Sequence, residues 1–197
     1  KHANTTLFVG NPDLMAESSE QVELGFSQKH FFSLHKPWHY MEYGLSAYST
    51  TYKNFISYDA SVTPNTYRNT QEADVRGFEG RIIYAEDIWG AHSEISYSNS
   101  ETKQKQPLPL TPEFQALLRL HYLWAIFRFE LQGNFWGSYF ENGKTREGWQ
   151  SADFHTSTYA LREWEFRLSV ENIFDTPREI VTGYPESQRR FWLSAER

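Results

Sequence analysis

Phe127-Arg128-Phe129-Glu130-Leu131-Gln132-Gly133-Asn134-Phe135 sets apolar residues (and Gly133) at the odd positions and polar or charged residues at the even ones. Successive side chains of a β-strand point to opposite faces, so a period of two gives one greasy face and one wet face. A helix would scatter the same residues around its circumference. The pattern recurs along the chain. Val22, Leu24 and Phe26 alternate with Glu23, Gly25 and Ser27, and Met41, Tyr43, Leu45 and Ala47 alternate with Glu42, Gly44 and Ser46. Phe114, Ala116, Leu118, Leu120 and Tyr122 alternate with Gln115, Arg119 and His121, with Leu117 the apolar exception. Trp164, Phe166, Leu168 and Val170 alternate with Glu165, Arg167, Ser169 and Glu171. These are the marks of half-buried antiparallel strands, and no stretch carries a comparable helical period.

The wet face holds opposed charges in mid-strand, Arg128 with Glu130 and Glu165 with Arg167 and Glu171. A soluble sandwich exposes such a face to solvent, whereas a wide membrane barrel lines a hydrated lumen with it. Connection lengths favour the barrel. About nine strands are expected, near 20–34, 39–57, 72–85, 88–99, 113–123, 125–139, 152–160, 163–173 and 189–196. Short turns at 35–38, 85–88, 123–125 and 161–163 alternate with long polar loops at 58–71, 98–112, 140–151 and 174–188. Outer-membrane barrels pair short periplasmic turns with long extracellular loops, and a sandwich has no reason to alternate. The long loops would then face outside and the chain would end in the periplasm. Bacterial single-chain barrels use an even number of strands, so an odd count is expected to be part of a larger barrel.

Composition fits this picture and removes several function classes. The 197 residues include 12 Tyr, 15 Phe and 7 Trp, which is 17% aromatic. Mean hydropathy is nevertheless −0.67. No apolar run approaches the ~18 residues of a membrane helix; the longest near that type is Leu123–Phe127. The chain has no Cys, hence no disulfide framework and no thiolate metal site. A net charge of −6 argues against a nucleic-acid partner. None of the 7 His residues (His2, His30, His35, His39, His92, His121, His155) forms the i, i+2 pair that a strand metal site favours. His35 and His39 straddle a short turn and read as turn and interface residues. No G-x-S-x-G and no glycine-rich phosphate loop occurs, and the mid-strand carboxylates sit beside opposite charges, as in a lumen network. The expectation is no enzyme, no cofactor and no metal. The chain opens on Lys1, so any secretion signal is expected upstream or already removed.

Several short segments, in order, carry a family resemblance. Asn11-Pro12-Asp13-Leu14-Met15-Ala16-Glu17 followed by Glu23-Leu24-Gly25 is similar to an N-P-D-L-K-P-E loop entering an E-L-G strand, departing from it at Met15 and Ala16. Val75-Arg76-Gly77-Phe78-Glu79 resembles a V-x-G-F-E strand start, and Pro107-Leu108-Pro109-Leu110-Thr111-Pro112 a P-L-P-L-T-P loop end. Glu171-Asn172-Ile173-Phe174-Asp175 resembles an E-N-L-F-D strand end, followed by Gly183-Tyr184-Pro185 and Arg190-Phe191-Trp192-Leu193. Together they resemble the TonB-dependent outer-membrane receptors. Physical roles can be given to some positions. Pro12 fixes φ while Asn11 and Asp13 bond local backbone. Gly77 and Gly80 permit a bulge or close packing, and Asn172 would bond a neighbouring strand or loop.

The resemblance implies an all-β, antiparallel up-and-down transmembrane β-barrel, with residues 1–197 as the C-terminal segment of about nine strands in a barrel of roughly twenty-two. The plug domain would be absent from this chain, and family members usually finish on an aromatic residue where this chain stops at Arg197. It implies import of a scarce nutrient, most simply a ferric siderophore or similar metal chelate, through the outer membrane of a Gram-negative bacterium. Its partners would be outer-membrane lipid, a small-molecule ligand, and the TonB complex through the missing N-terminal part. The loops 58–71, 98–112, 140–151 and 174–188 would help form the ligand entrance. Their candidate contacts are Tyr67, Arg68, Tyr139, Phe140, Arg146, Trp149, Tyr184 and Arg189, since Arg suits anionic chelates and aromatic rings suit planar ones. Three alternatives stand beside this reading: a passive porin-like channel, a soluble β-sandwich binding module, and a remnant with no activity of its own.

Overall fold

The computed structural model describes residues 9–59, 62–69, 72–141, 143–161, 164–181 and 183–196, with backbone alone at 159–161 and 180. His2 and the end at Arg197 lie outside these residues, as do positions 60, 61, 70, 71, 142 and 182 of the expected loops.

The described chain is all β. In order its strands are β1 (Ser18–Phe31), β2 (Tyr40–Lys53), β3 (Ile56–Asp59), β4 (Thr66–Asn69), β5 (Glu72–Ala85), β6 (Trp89–Thr102) and β7 (Phe114–Trp124). Then come β8 (Phe127–Trp136), β9 (Tyr139–Glu141), β10 (Lys144–Arg146), β11 (Trp149–Leu161), β12 (Trp164–Glu171), β13 (Glu179–Val181), β14 (Tyr184–Pro185) and β15 (Arg190–Glu196). The long ones form one antiparallel nine-stranded sheet in the order β1-β2-β5-β6-β7-β8-β11-β12-β15. Each is bonded to its neighbour along the chain, the up-and-down topology that the sequence predicts. β1 and β15 have one neighbour each, so the sheet is open and the barrel is not closed within this chain.

Because the side-chain period is two, the register carries each face across the sheet as rows. One face runs Phe26, Leu45, Gly80, Ile95, Ala116, Phe135, with Leu24, Ala47, Phe78, Tyr97, Phe114 as the next row. The other runs Ser27, Gly44, Arg81, Glu94, Leu117, Asn134, Ser151. The apolar face is uncovered: Leu24 is 81% exposed and Leu193 80%, while Ala73, Leu108 and Tyr139 are the buried hydrophobic residues among those described. A sandwich would bury that face against a second sheet at ~10 Å, and the three remaining sheets have only two short strands each. A contiguous apolar surface of this extent belongs against lipid or a partner, not water.

Near the short turns the apolar face is ringed with aromatics. His39 lies 4.8 Å from the Phe32 ring and 6.0 Å from Tyr84, and Tyr84 lies 4.6 Å from Trp89. Trp124, Phe127, Phe129 and Phe154 continue as stacked rings. His39 thus packs among the aromatics beside the short turn, and no group of three metal-ligating side chains exists among the described residues. The wet face is a charge ladder. Glu42 holds Arg81 at 2.6 Å and Lys29 at 3.9 Å, Glu130 lies 3.6 Å from Arg119 and 3.7 Å from Arg128, and Arg190 pairs with Glu171 at 2.5 Å.

Several strand ends differ from expectation by three or four residues, and two of them have a visible cause. The strand expected over 39–57 stops at Lys53, because Asn54 adopts φ 56° and turns the chain before β3. The one expected over 125–139 stops at Trp136, where Gly137 packs its backbone against Phe114 O; a Cβ there would lie 2.7 Å from that oxygen. Three short hairpins (β3–β4, β9–β10, β13–β14) decorate loops expected to be irregular. Gly77 and Gly80 lie in mid-β5 with no bulge beside them. Close packing is the role they have: a Cβ on Gly77 would lie 2.4 Å from Tyr97 O and 2.7 Å from the Tyr48 hydroxyl.

Candidate functional site

The long loops gather into two sets at one end of the sheet. In the first, the segment 9–17 acts as a third partner to the β3–β4 hairpin. Asp13 N–H donates to Asn11 Oδ1 at 2.9 Å, the local turn expected of Asn-Pro-Asp. Asn11 Nδ2 then reaches Tyr67 O at 2.9 Å, and Val9 N–H reaches Asn65 O at 3.0 Å. The Asn69 amide mimics a strand: its Oδ1 accepts from Met15 N–H at 2.9 Å and its Nδ2 donates to Met15 O at 3.0 Å. Glu17 Oε1 accepts from Ile56 N–H at 2.6 Å.

The second set sews three loops together. Leu110 N–H donates to Phe140 O at 2.8 Å, joining the 98–112 loop to the β9–β10 hairpin. Tyr139 Oη donates to Glu179 O at 2.6 Å, joining that hairpin to β13. Burial pushes the Tyr139 phenol up from its usual range, and the Glu141 carboxylate adds to the rise while Arg146 opposes it. Asn172, fully buried at φ 51°, closes the last outer loop. Its N–H donates to Asp153 Oδ1 at 2.8 Å, and its amide exchanges two bonds with the Thr176 backbone at 2.9 and 3.0 Å. It bonds both a neighbouring strand and its own loop, as the sequence predicts.

Where this block meets the wet face, Trp136 and Trp149 stack directly across β8 and β11. Their rings are parallel to 3° with centroids 5.8 Å apart. Such an offset pair contributes about 0.5–1.5 kcal/mol beyond its buried area. The Arg178 guanidinium lies 5.1 Å from the centre of the Trp149 ring, with Nη1 donating to Ser151 Oγ at 3.3 Å. This stack ends a groove of about 790 Å³ that runs along the wet face past Glu79, Arg81, Glu94, Gln115 and Asn134. Flat aromatic, cationic and amide groups along a hydrated groove suit a planar, polar solute rather than bond-making chemistry.

The eight candidate residues separate accordingly. Tyr67 packs its ring 5.6 Å from Tyr58, and Arg68 pairs with the buried Asp59 at 3.2 Å, both in the first set. Tyr139, Phe140 and Arg146 share one hairpin, where Tyr139 is buried and Arg146 pairs with Glu141 at 3.2 Å. Trp149 alone is brought onto the groove. Tyr184 is 75% exposed, and Arg189 N–H caps Asp175 Oδ1 at 2.8 Å. The structure therefore joins Tyr139, Phe140 and Arg146 in one hairpin and Tyr67 and Arg68 in the other, and leaves Trp149, Tyr184 and Arg189 apart from both. Trp136 and Arg178 were missing from the sequence expectation. Trp136 had a visible signal, an aromatic in the polar phase of the alternation that starts at Phe127. Arg178 had none, since its place depends on how the loop folds back.

The sequence matches the model described as "TonB dependent receptor-like, beta-barrel" over residues 2–173. The chain belongs to the TonB-dependent receptor family. A comparison with curated protein sequences gave no match. Solved structures similar to this fold include the "Copper transporter OprC" (16% identity, TM-score 0.74, 93% of this chain and 32% of that one). Others are the siderophore receptor PirA from Acinetobacter baumannii (20%, 0.73, 95% and 32%) and the ferric-catecholate import receptor Fiu from K12 E. coli (20%, 0.71, 94% and 28%). The chain thus spans about a third of the length of these proteins. Identities this low establish the shared fold alone. TonB-dependent receptors are outer-membrane proteins of Gram-negative bacteria that bind small-molecule ligands such as siderophores, and the family and these neighbours are receptors and transporters. In the receptor fold the apolar rows form the outer wall and the groove lies on the lumen side. Asn172, within the matched residues, is the buried loop closure described above.

Proposed function

We propose that this chain is the C-terminal wall and part of the mouth of a receptor that imports a metal chelate, most simply a ferric siderophore. The observation that carries this reading is family membership over residues 2–173, joined to a lumen-side groove that ends in an aromatic–arginine stack beneath the sewn outer loops. Several neighbours in fold are described as siderophore or ferric-chelate receptors, which points the same way. The plug and the segment that contacts TonB belong to the parent protein outside these residues, and lipid covers the apolar rows. The entrance is formed by the loops around Tyr67, Arg68, Tyr139, Phe140, Arg146, Trp149, Tyr184 and Arg189. A passive channel suits a TonB-dependent family member poorly, and a soluble sandwich suits a single uncovered sheet poorly.

The test is uptake of iron-labelled chelates by cells whose own receptors have been removed and that carry the full-length receptor. Import should stop when the TonB complex is disabled. Unchanged import in its absence would support the passive channel instead. Alanine substitution across the four loops should weaken chelate binding, and unchanged binding would remove them from the entrance.

A further inference from the structure

Three hydrogen-bond donors stand without an acceptor at one point of the lumen wall. The indole N–H groups of Trp136 and Trp149 and the Nε–H of Arg178 are buried with no hydrogen-bond partner among the described residues. Arg178 Nε lies 3.4 Å from Glu186 Oε2, a Coulombic contact that makes no hydrogen bond. Buried polar groups are nearly always paired, so three orphans on side chains stacked in series about Trp149, all of them donors, call for acceptor atoms.

We infer that Trp136, Trp149 and Arg178 form a closed subsite for a flat aromatic anion, and that the Arg178 side chain is the cover that lifts to admit it. The shape follows from the indoles, which are parallel to 3° and offer a planar face. The charge follows from Arg178 and from donors that only oxygen acceptors would satisfy. The cover follows from how Arg178 is held. Its guanidinium occupies the Trp149 face at 5.1 Å, but its two polar contacts, Ser151 at 3.3 Å and Glu186 at 3.4 Å, are both long. The backbone beneath it is fixed through Tyr139 and Glu179, so the side chain moves without the loop. When it swings toward the adjoining groove, the indole donors are uncovered and the ligand replaces Glu186 as its counter-ion. Glu79, the wall carboxylate in the same row, lies three strands from Trp136, at roughly 14 Å given the ~4.8 Å strand spacing, too far to repel strongly in water.

This inference rests on the transport reading for its ligand but is tested apart from it. The full-length receptor in detergent is titrated with benzoate and with iron(III) tris-catecholate, and tryptophan emission is followed. Trp136→Phe and Trp149→Phe keep the rings and remove the donors, with circular dichroism confirming the fold. Each should weaken benzoate binding about tenfold, the value of a good hydrogen bond to a charged group. Arg178→Ala should raise acrylamide quenching of tryptophan several-fold before any ligand is added. Absence of benzoate binding, equal binding by both Phe variants, or unchanged quenching in Arg178→Ala would each overturn the subsite. If the chelate binds wild type and both Phe variants alike, the subsite falls while the import reading stands. If benzoate binds through the tryptophans but no chelate is imported by cells, the subsite stands and the import reading falls.

Discussion

Asn172 concentrates several demands on one side chain: burial, φ 51°, and hydrogen bonds from its backbone and both amide atoms. A short polar side chain tolerates the left-handed region, and the bonds hold it there. Asn172→Gly keeps the backbone conformation and loses only the amide bonds. Asn172→Ala loses both and should cost about 2–4 kcal/mol. Urea unfolding of the full-length receptor should therefore rank Ala below Gly, and equal losses would mean the φ angle carries no weight. At Gly77 the limit is space. A Cβ would strike Tyr97 O, which is backbone, as well as the Tyr48 hydroxyl. Gly77→Ala should destabilise by about 1–3 kcal/mol, and adding Tyr48→Ala should restore only part of that stability, because the backbone clash remains.

At the scale of elements, the β9–β10 hairpin is the junction of the outer loops, and Tyr139 is its fastening to β13. Tyr139→Phe should cost about 1 kcal/mol and speed hydrogen exchange across 174–188. The phenol's raised pKa sets the sign with pH. The folded state holds the proton more tightly than the unfolded one, so the contact's stability is whole below the ordinary tyrosine pKa of ~10. It is lost as pH rises through the higher folded value. Wild-type loops should loosen in alkali before Tyr139→Phe responds, and an identical response of the two would exclude Tyr139 as the cause. The long strands were legible in the sequence because period two persists for six to nine residues in five of them. The hairpins were not, because two to four residues cannot show a period and their pairing depends on partners such as Met15 and Asn69. The groove was half legible: Trp149 lay in a loop that invited attention, and Trp136 broke phase. Arg178 reaches the same point only through the folded path of 172–178.

For the whole molecule, neighbouring residues on β2 should respond oppositely to charge. Leu45 lies on the apolar rows and Ser46, paired with Glu79, on the opposite face. In lipid vesicles, Leu45→Arg should cost the full-length receptor about 2–4 kcal/mol if it sits near the bilayer midplane. Ser46→Arg should cost close to nothing in the same unfolding measurement. Equal costs would mean the two faces are not lipid and water. The division of the loops into two sewn sets also decides where foreign sequence can be spliced in. The turn at 103–106 and the exposed tip at Tyr184 lie at the margins of the hydrogen-bonded block, whereas 139–146 is its knot. An epitope tag placed at either margin should decorate intact cells for antibody labelling, while one placed in the knot should leave the receptor poorly assembled and the cells unstained.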